Sequence, residues 1–407
     1  MPNIWDLAVV GGGASGIAAA IAAAALGDHV LLLEQSSALG RKIAASGNGR
    51  CNLMNTGVPV YYGDTAFAED VLRHYTPHNL QRYFEEIGLV LSFDEAGRVY
   101  PCTYHSGTVL DALKTALRRN NVNVLLQTEV QALYHKDSLF TIKTNHDLYT
   151  SRRVLIAAGG AASAKLGGTF SGYRLLEMLG HPVIKPQAAL CPLITDSKSI
   201  SGLSGIRVRC SVSLYDDHHI LLTGHDGELL FTDYGISGIC AMQCARFIQE
   251  NCKVELDFTK RLFCNSDELK DLLSRRKKQF SDLPPEYLLN GILVPKLSFA
   301  VLKQAGIELR NSTVGDITVN ELESIAERMQ HYTLHIISVK GMESAQVTAG
   351  GAVCDSFSAA TLESHIISGL HVSGELLNVD GDCGGFNLMF AFASGILAGL
   401  NGRCRKE

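Results

Sequence analysis

Gly11-Gly12-Gly13-Ala14-Ser15-Gly16 stands between the apolar run Leu7–Val10 and the alanine-rich stretch Ala14–Leu26, and a second apolar run, His29–Leu33, ends at Glu34. Strand, glycine turn, helix and strand in that order predict a βαβ unit. In such a unit Gly11 permits the tight turn, Gly13 lets the backbone approach a pyrophosphate, and Gly16 lets helix and strand pack closely. Ala14 and Ser15 open the helix, whose free N–H groups and dipole suit phosphate oxygens. Glu34, followed by Gln35, lies where an acidic side chain accepts from the hydroxyls of a ribose. The glycines alone are a weak signal. Their setting makes them a dinucleotide site.

Beyond this unit, Val109–Arg119 has helical spacing with Ser106 as its cap, and Val122–Leu126 reads as a strand. Val130–Tyr134, Leu139–Lys143 and Leu148–Tyr149 suggest a meander, followed by the apolar strand Val154–Ala158 and Gly159-Gly160. The pattern changes near residue 188. Val208, Cys210, Val212 and Leu214 alternate with polar residues, as in a half-buried antiparallel strand. Leu221–Leu222 and Leu229–Phe231 flank Gly224–Gly227, which predicts a hairpin turn there, and Lys253–Phe258 alternates again. Residues 266–331 read as helical pieces broken at Pro284-Pro285, Pro295 and Gly306, before a strand at His335–Val339. The strand-like Leu370–Ser373, the loop Asp380–Gly385 and the helix Asn387–Leu400 return to the style of the beginning. The expected fold is therefore α/β. A discontinuous Rossmann-like domain spans residues 1–187 and 346–407, and a β-barrel-like domain spans 188–260 and 334–345. The latter carries a helical subdomain at 261–333.

Composition narrows the function. Of 407 residues, 46% are hydrophobic and 19% charged, so large buried cores are expected rather than disorder. A net charge of −5 argues against a nucleic-acid partner, which needs a basic face. The one basic run, Arg275–Lys278, lies among Leu269, Leu272, Leu273 and Phe280 and reads as a solvated helix face. Residues 7–27 are uncharged, yet no Lys or Arg precedes them and glycines interrupt them early. Neither a signal peptide nor a membrane span fits, and a cytoplasmic protein is expected. The eleven cysteines are scattered and odd in number. They suggest reduced thiols, without a metal site.

Three further segments bear on which dinucleotide binds. Gly40–Asn52 is rich in glycines, cations and hydrogen-bond donors, including Arg41, Lys42, Gly49, Arg50, Cys51 and Asn52. Such a loop suits a flavin's phosphates, ribityl hydroxyls and ring edge. Ala158 and Gly159 end a strand that can return the chain to the cofactor. Gly374-Glu375 and Asp382–Asn387 then precede a second helix, whose N-terminus could face the flavin's electron-rich pyrimidine edge. FAD is the cofactor these segments favour.

The segments Gly40–Asn55, Gly227–Ser237, Gln346–Gly351 and Gly374–Gly399 resemble, in order and over nearly the whole chain, those of the BaiN-like flavoproteins. That family includes a bile-acid 4,6-dehydro reductase and aminoacetone-oxidase-like enzymes. The resemblance implies a discontinuous FAD domain, a barrel-like middle domain and a small helical domain. It implies FAD contacts at Gly11–Gly16, Glu34, Arg41, Lys42, Asn52, Val130 (through backbone to adenine), Gly159, Gly374, Glu375, Asp382 and Asn387. Gly385 and Phe386 belong to the same segment. The chain departs from the family pattern at Ile239, at Phe386–Phe392 and at Thr169–Tyr173.

A flavin carries the hydride transfer, so the protein need only orient a small-molecule substrate and handle a proton. Cys51, Tyr173 and Tyr234 are candidates, each with a plain packing role as the alternative. The resemblance implies an NAD(P)H-dependent reductase of an activated C=C bond in a 3-oxo-4,6-dehydro bile-acid or steroid-like substrate. No second G-x-G-x-x-G is present, so NAD(P)H would dock transiently. The alternatives are an amine oxidase that forms hydrogen peroxide and a non-catalytic flavin-binding partner.

Overall fold

Leu7–Val10 are all buried, and a run buried on both faces belongs inside a parallel sheet. In a computed structural model, which describes residues 4–263 and 265–403, β1 (Ile4–Val10) holds that place. The glycine turn leads into α1 (Ala14–Ala24) and then β2 (Val30–Leu33), which pairs parallel with β1. The short helix α2 (Arg41–Ala45) follows, and, after two further helices and four short strands, the long helix α3 (Ser106–Arg119). They precede β3 (Asn123–Leu125), β4 (Val130–Lys136), β5 (Leu139–Thr144) and β6 (Leu148–Ile156). Near the C-terminus lie β7 (Leu370–Val372) and α4 (Phe386–Leu400). Strand order is β3-β2-β1-β6-β5-β4, with β7 parallel to the last residues of β6. At the carboxyl ends the order is therefore β3-β2-β1-β6-β7, all parallel.

The chain divides into two units, Met1–Ala188 with Gln346–Glu407, and Ala189–Ala345. The second contains a closed barrel of six strands: Leu193–Thr195, Gly235–Ser237, Leu221–Phe231, Arg207–Tyr215, Lys253–Asp257 and Tyr332–Val339. The helices Ser266–Gln279, Pro295–Gln304 and Val319–Gln330 fall between its last two strands in sequence. Pro295 starts a helix rather than breaking one, because its missing N–H costs nothing in the first turn.

Three local expectations change. The third meander segment and the strand after it are one strand, β6, which pairs with β5 through its first half and β7 through its last. Gly224–Gly227 is not a turn: it continues an eleven-residue strand opposite Ser213–Cys210. The chain reverses at Asp216–Ile220 instead, where Asp216 Oδ1 accepts from the N–H groups of His218 and Ile220. Ser106 is inside α3; His105 caps it by accepting from Gly107 N–H, and Ser106 Oγ donates to Ala44 O.

Candidate cofactor site

The glycine turn closes against the sheet: Gly11 N–H donates to Leu33 O at 2.8 Å. A Cβ on Gly16 would lie 1.9 Å from Gly11 O, so only glycine admits this approach, whereas a Cβ on Gly13 would meet open space. Ala14 and Ser15 form the buried first turn of α1. Glu34 is held by two backbone donors, Gly12 N–H to Oε2 and Ser36 N–H to Oε1, each at 2.7 Å. Each oxygen keeps a further lone-pair direction for a ribose diol. Thr128 N–H binds Glu34 O and Gln127 N–H binds Ser36 O, which carries the start of β4, Val130, beside the end of β2. Gln35 and Arg41 both donate to the loop after β6, to Gly167 O at 3.4 Å and Lys165 O at 2.5 Å.

A second cluster joins α2 to the segment after β7. Lys42 Nζ lies 2.8 Å from Glu375 Oε2, and Glu375 Oε1 accepts Thr348 N–H at 2.9 Å. Thr348 Oγ1 accepts Ala162 N–H at 3.0 Å. The strand expected to reach Ala158 ends at Ile156, so Ala158 and Gly159 lie in the loop just past β6, and a Cβ on Gly159 would meet nothing within 4 Å. Gly374 lies against Ser15, its hypothetical Cβ 2.7 Å from the hydroxyl.

The third cluster joins residues 46–62 to 381–387. Gly47, Asn48, Gly49 and Cys51 all have positive φ, so the chain coils tightly through Arg50 into Asn52. Asn55 donates to Gly384 O at 2.8 Å, and a Cβ on Gly385 would meet Asn52 Oδ1 at 2.7 Å. Tyr61 and Tyr62 donate to Phe386 O at 3.0 Å and to Asp382 Oδ1 at 2.8 Å. Asn387 spends its amide on Gly381 N–H, Gly381 O and Asp382 O, pinning the turn before α4. Asn52 Oδ1 and Ser373 Oγ are buried with no protein partner. Buried polar atoms are rarely left so. Open space at Gly13 and two unpaired polar atoms suit the ribityl and phosphate groups of a flavin dinucleotide.

The catalytic candidates separate. Cys51 has no exposed surface, and burial pushes its thiol up to about 11, so it carries almost no thiolate. Tyr173 is buried, and burial and then the Glu375 charge push its phenol well above the usual range; its hydroxyl is 3.5 Å from Glu375 O. Tyr234 belongs to the other unit, where Lys340 Nζ lies 3.3 Å from its ring centroid and Thr195 N–H binds its carbonyl. The nine cysteines among the described residues are free. Arg276 of the basic run turns inward and donates to the carbonyls of Leu288, Tyr287 and Asn290, so the run is not a uniform solvated face. Among the described residues no helix is long and apolar enough to cross a membrane. Thr348, Ser373 and Tyr62 joined the site only through the structure. Thr348 lay within the resembling segment Gln346–Gly351, and nothing in the sequence tied it to Glu375.

A phosphate turn and a fixed carboxylate at the carboxyl ends of parallel strands define a Rossmann-like dinucleotide-binding protein with a barrel-containing second unit. The chain belongs to the HI0933-like protein Rossmann domain family, which it matches over residues 5–401. It is 33% identical over 404 residues to the 3-dehydro-bile acid delta(4,6)-reductase of Clostridium scindens, covering 97% of this chain and 98% of that protein. It is 29% identical over 412 residues to the ribosomal RNA dihydrouridine synthase of Haemophilus influenzae, covering 97% of each. Its fold is similar to that of 3-ketosteroid delta1-dehydrogenase from Sterolibacterium denitrificans, with a TM-score of 0.51, 15% identity and 98% and 99% of the two chains covered. The domain is thus a Rossmann-like FAD-binding domain, and the protein is an FAD-dependent oxidoreductase.

Proposed function

We propose that this enzyme uses NAD(P)H to reduce a C=C bond conjugated to a carbonyl, in a 3-oxo-4,6-dehydro steroid or bile-acid-like substrate. The observation that carries the reading is the 33% identity, across almost the full length of both chains, to a reductase of that substrate type. FAD would supply the hydride transfer. Gly13 and the first turn of α1 would take its pyrophosphate, Glu34 the adenosine ribose, and Asn52 and Ser373 the polar groups between. Tyr173, whose hydroxyl reaches the Glu375 carbonyl and which burial keeps neutral, would be the group that holds a proton, and Cys51 would stay a buried, neutral thiol.

Anaerobic addition of NADPH or NADH to the FAD-loaded protein should bleach the flavin absorbance, and a 3-oxo-4,6-diene should restore it. Failure of both donors would sink the NAD(P)H reading. Peroxide formed from aminoacetone without a nicotinamide would favour the oxidase instead.

A second reading rests on the 29% relative, whose name describes reduction of a uracil ring in ribosomal RNA. The chemistry is of the same kind, since that ring C=C is also conjugated to a carbonyl. A net charge of −5 and the inward-turned Arg276 weigh against an RNA surface. Dihydrouridine formed in unmodified ribosomal RNA, with no turnover of the steroid, would establish the second reading over the first.

A further inference from the structure

Four segments far apart in the chain meet in one hydrogen-bonded group. Lys42 follows β2, Gly160 follows β6, Glu375 follows β7, and Thr348 lies in the strand Val347–Ala352. A Cβ on Gly160 would stand 2.3 Å from Thr348 Oγ1 and 2.5 Å from Glu375 Oε1, so the missing side chain there is what admits the group. Each carboxylate oxygen of Glu375 accepts one protein hydrogen bond, one from Thr348 N–H and one from Lys42. An ammonium has three donors and Glu375 takes one, so Lys42 keeps two to offer.

The order of the strands says to what. Glu34 ends β2, the phosphate turn ends β1, and Glu375 lies beyond β7, two strands further on. Strands are about 4.8 Å apart, so β7, which leads to Glu375, is about 10 Å past β1 on the side away from Glu34, and Gly374 then packs against Ser15 of α1. A dinucleotide with its ribose at Glu34 and its pyrophosphate at α1 extends toward that side with its second ring system.

We infer that Glu375 is a positioning residue that holds the Lys42 ammonium for the flavin ring rather than for the phosphates, so that this ion pair sets the ring's affinity for electrons. The inference rests on these strand ends being the FAD site. Its electrostatics have a definite sign. A lysine left without Glu375 favours added negative charge on the ring, and a glutamate left without Lys42 opposes it.

The test uses FAD-loaded wild type, Lys42→Met, Lys42→Arg and Glu375→Gln. The two-electron midpoint is measured by anaerobic equilibration with a reference dye, and FAD affinity is measured at low and high salt. Lys42→Met should lower the reduction equilibrium constant at least tenfold, which is 29.6 mV for a two-electron couple. Glu375→Gln should raise it, and Lys42→Arg should leave it near wild type. If Lys42→Met and Glu375→Gln shift it in the same direction, or neither shifts it tenfold, the inference is overturned. It is equally overturned if Lys42→Met weakens FAD binding in a salt-dependent way while the flavin that remains keeps the wild-type midpoint, because Lys42 is then a phosphate ligand. Should Lys42→Met not fold, Glu375→Gln and Lys42→Arg still decide: a rise in the first with none in the second supports the inference, and any other pair refutes it. Wild type that does not take up FAD at all refutes the cofactor reading instead, before any variant is made.

Discussion

Gly395 and Gly399, one turn apart on α4, face Ser15 and Ala19, one turn apart on α1. A Cβ at 395 would lie 2.2 Å from Ser15 O, and one at 399 would lie 2.4 Å from Ala19 O. A methyl carbon needs roughly 3.2 Å or more from an oxygen, so Gly395→Ala requires the helices to part by about 1 Å. Alanine inside a helix would by itself gain about 1 kcal/mol over glycine. Overpacking costs about 1–3 kcal/mol, and a gap of that width forfeits roughly a quarter to a half of each facing dispersion contact. The clash is with backbone on both helices, which cannot rotate away, so the cost outweighs the gain. Gly395→Ala should destabilise by about 1–2 kcal/mol. Gly399→Ala should behave similarly, but the helices need part only once. The double variant should therefore lose clearly less than the sum of the singles. Urea unfolding of the FAD-free protein, followed by circular dichroism, measures all three. Ser15 is also in the first turn after the phosphate glycines, so FAD affinity should fall along with stability. A Gly395→Ala protein that unfolds at the wild-type urea concentration or above would refute this account of the α1–α4 contact, and so would strict additivity.

Two other outcomes follow from single side chains. Glu34→Ala removes the acceptor of two backbone N–H groups as well as the ribose partner. Hydrogen bonds to a charged group are worth about 1.5–3 kcal/mol, so FAD should bind at least about tenfold more weakly in a fluorescence titration; unchanged affinity would tell against the ribose role. His371 is fully buried, donates Nδ1–H to Thr361 O at 2.9 Å and leaves Nε2 without a partner. Burial first, and then the nearby Arg153, hold its pKa down to about 4. As pH falls, the unfolded chain, with an ordinary histidine value near 6.5, takes up its proton before the folded chain does. Stability from this group is thus complete above about pH 6.5 and is lost between there and about pH 4, by up to about 1.4 kcal/mol per unit. His371→Asn, which keeps a donor for Thr361, should flatten the urea midpoint across that window; an unchanged slope would remove His371 as its cause.

What was legible in the sequence depended on periodicity and on glycine. Leu7–Val10 and Val154–Ile156 announced buried parallel strands because nothing polar interrupts them. The turn between Leu7–Val10 and α1 is legible because each glycine has a separate steric reason. Gly224–Gly227 misled for the same reason reversed. Glycines that usually mark a turn here sit in a strand, where Gly227 leaves room for Cys240, whose Sγ would be 3.6 Å from a Cβ there. The true turn carries its signal in Asp216, whose side chain does by hydrogen bonding what glycine does by conformational freedom.

The site residues divide along the same line. Sequence spacing placed Glu34 because its partners, Gly12 and Ser36, lie on the same βαβ unit. Lys42 and Glu375 were each legible as members of a motif, but 333 residues separate them, and no local rule joins them. Both had been assigned to the cofactor by resemblance, and each turns out to hold the other. Each Glu375 oxygen accepts one protein hydrogen bond, and the lysine held by one of them keeps two donors of its own for a ligand. A motif residue and the residue that touches the ligand need not be the same one. Where a carboxylate is paired with a lysine, the lysine's remaining donors are a further guide to what binds there.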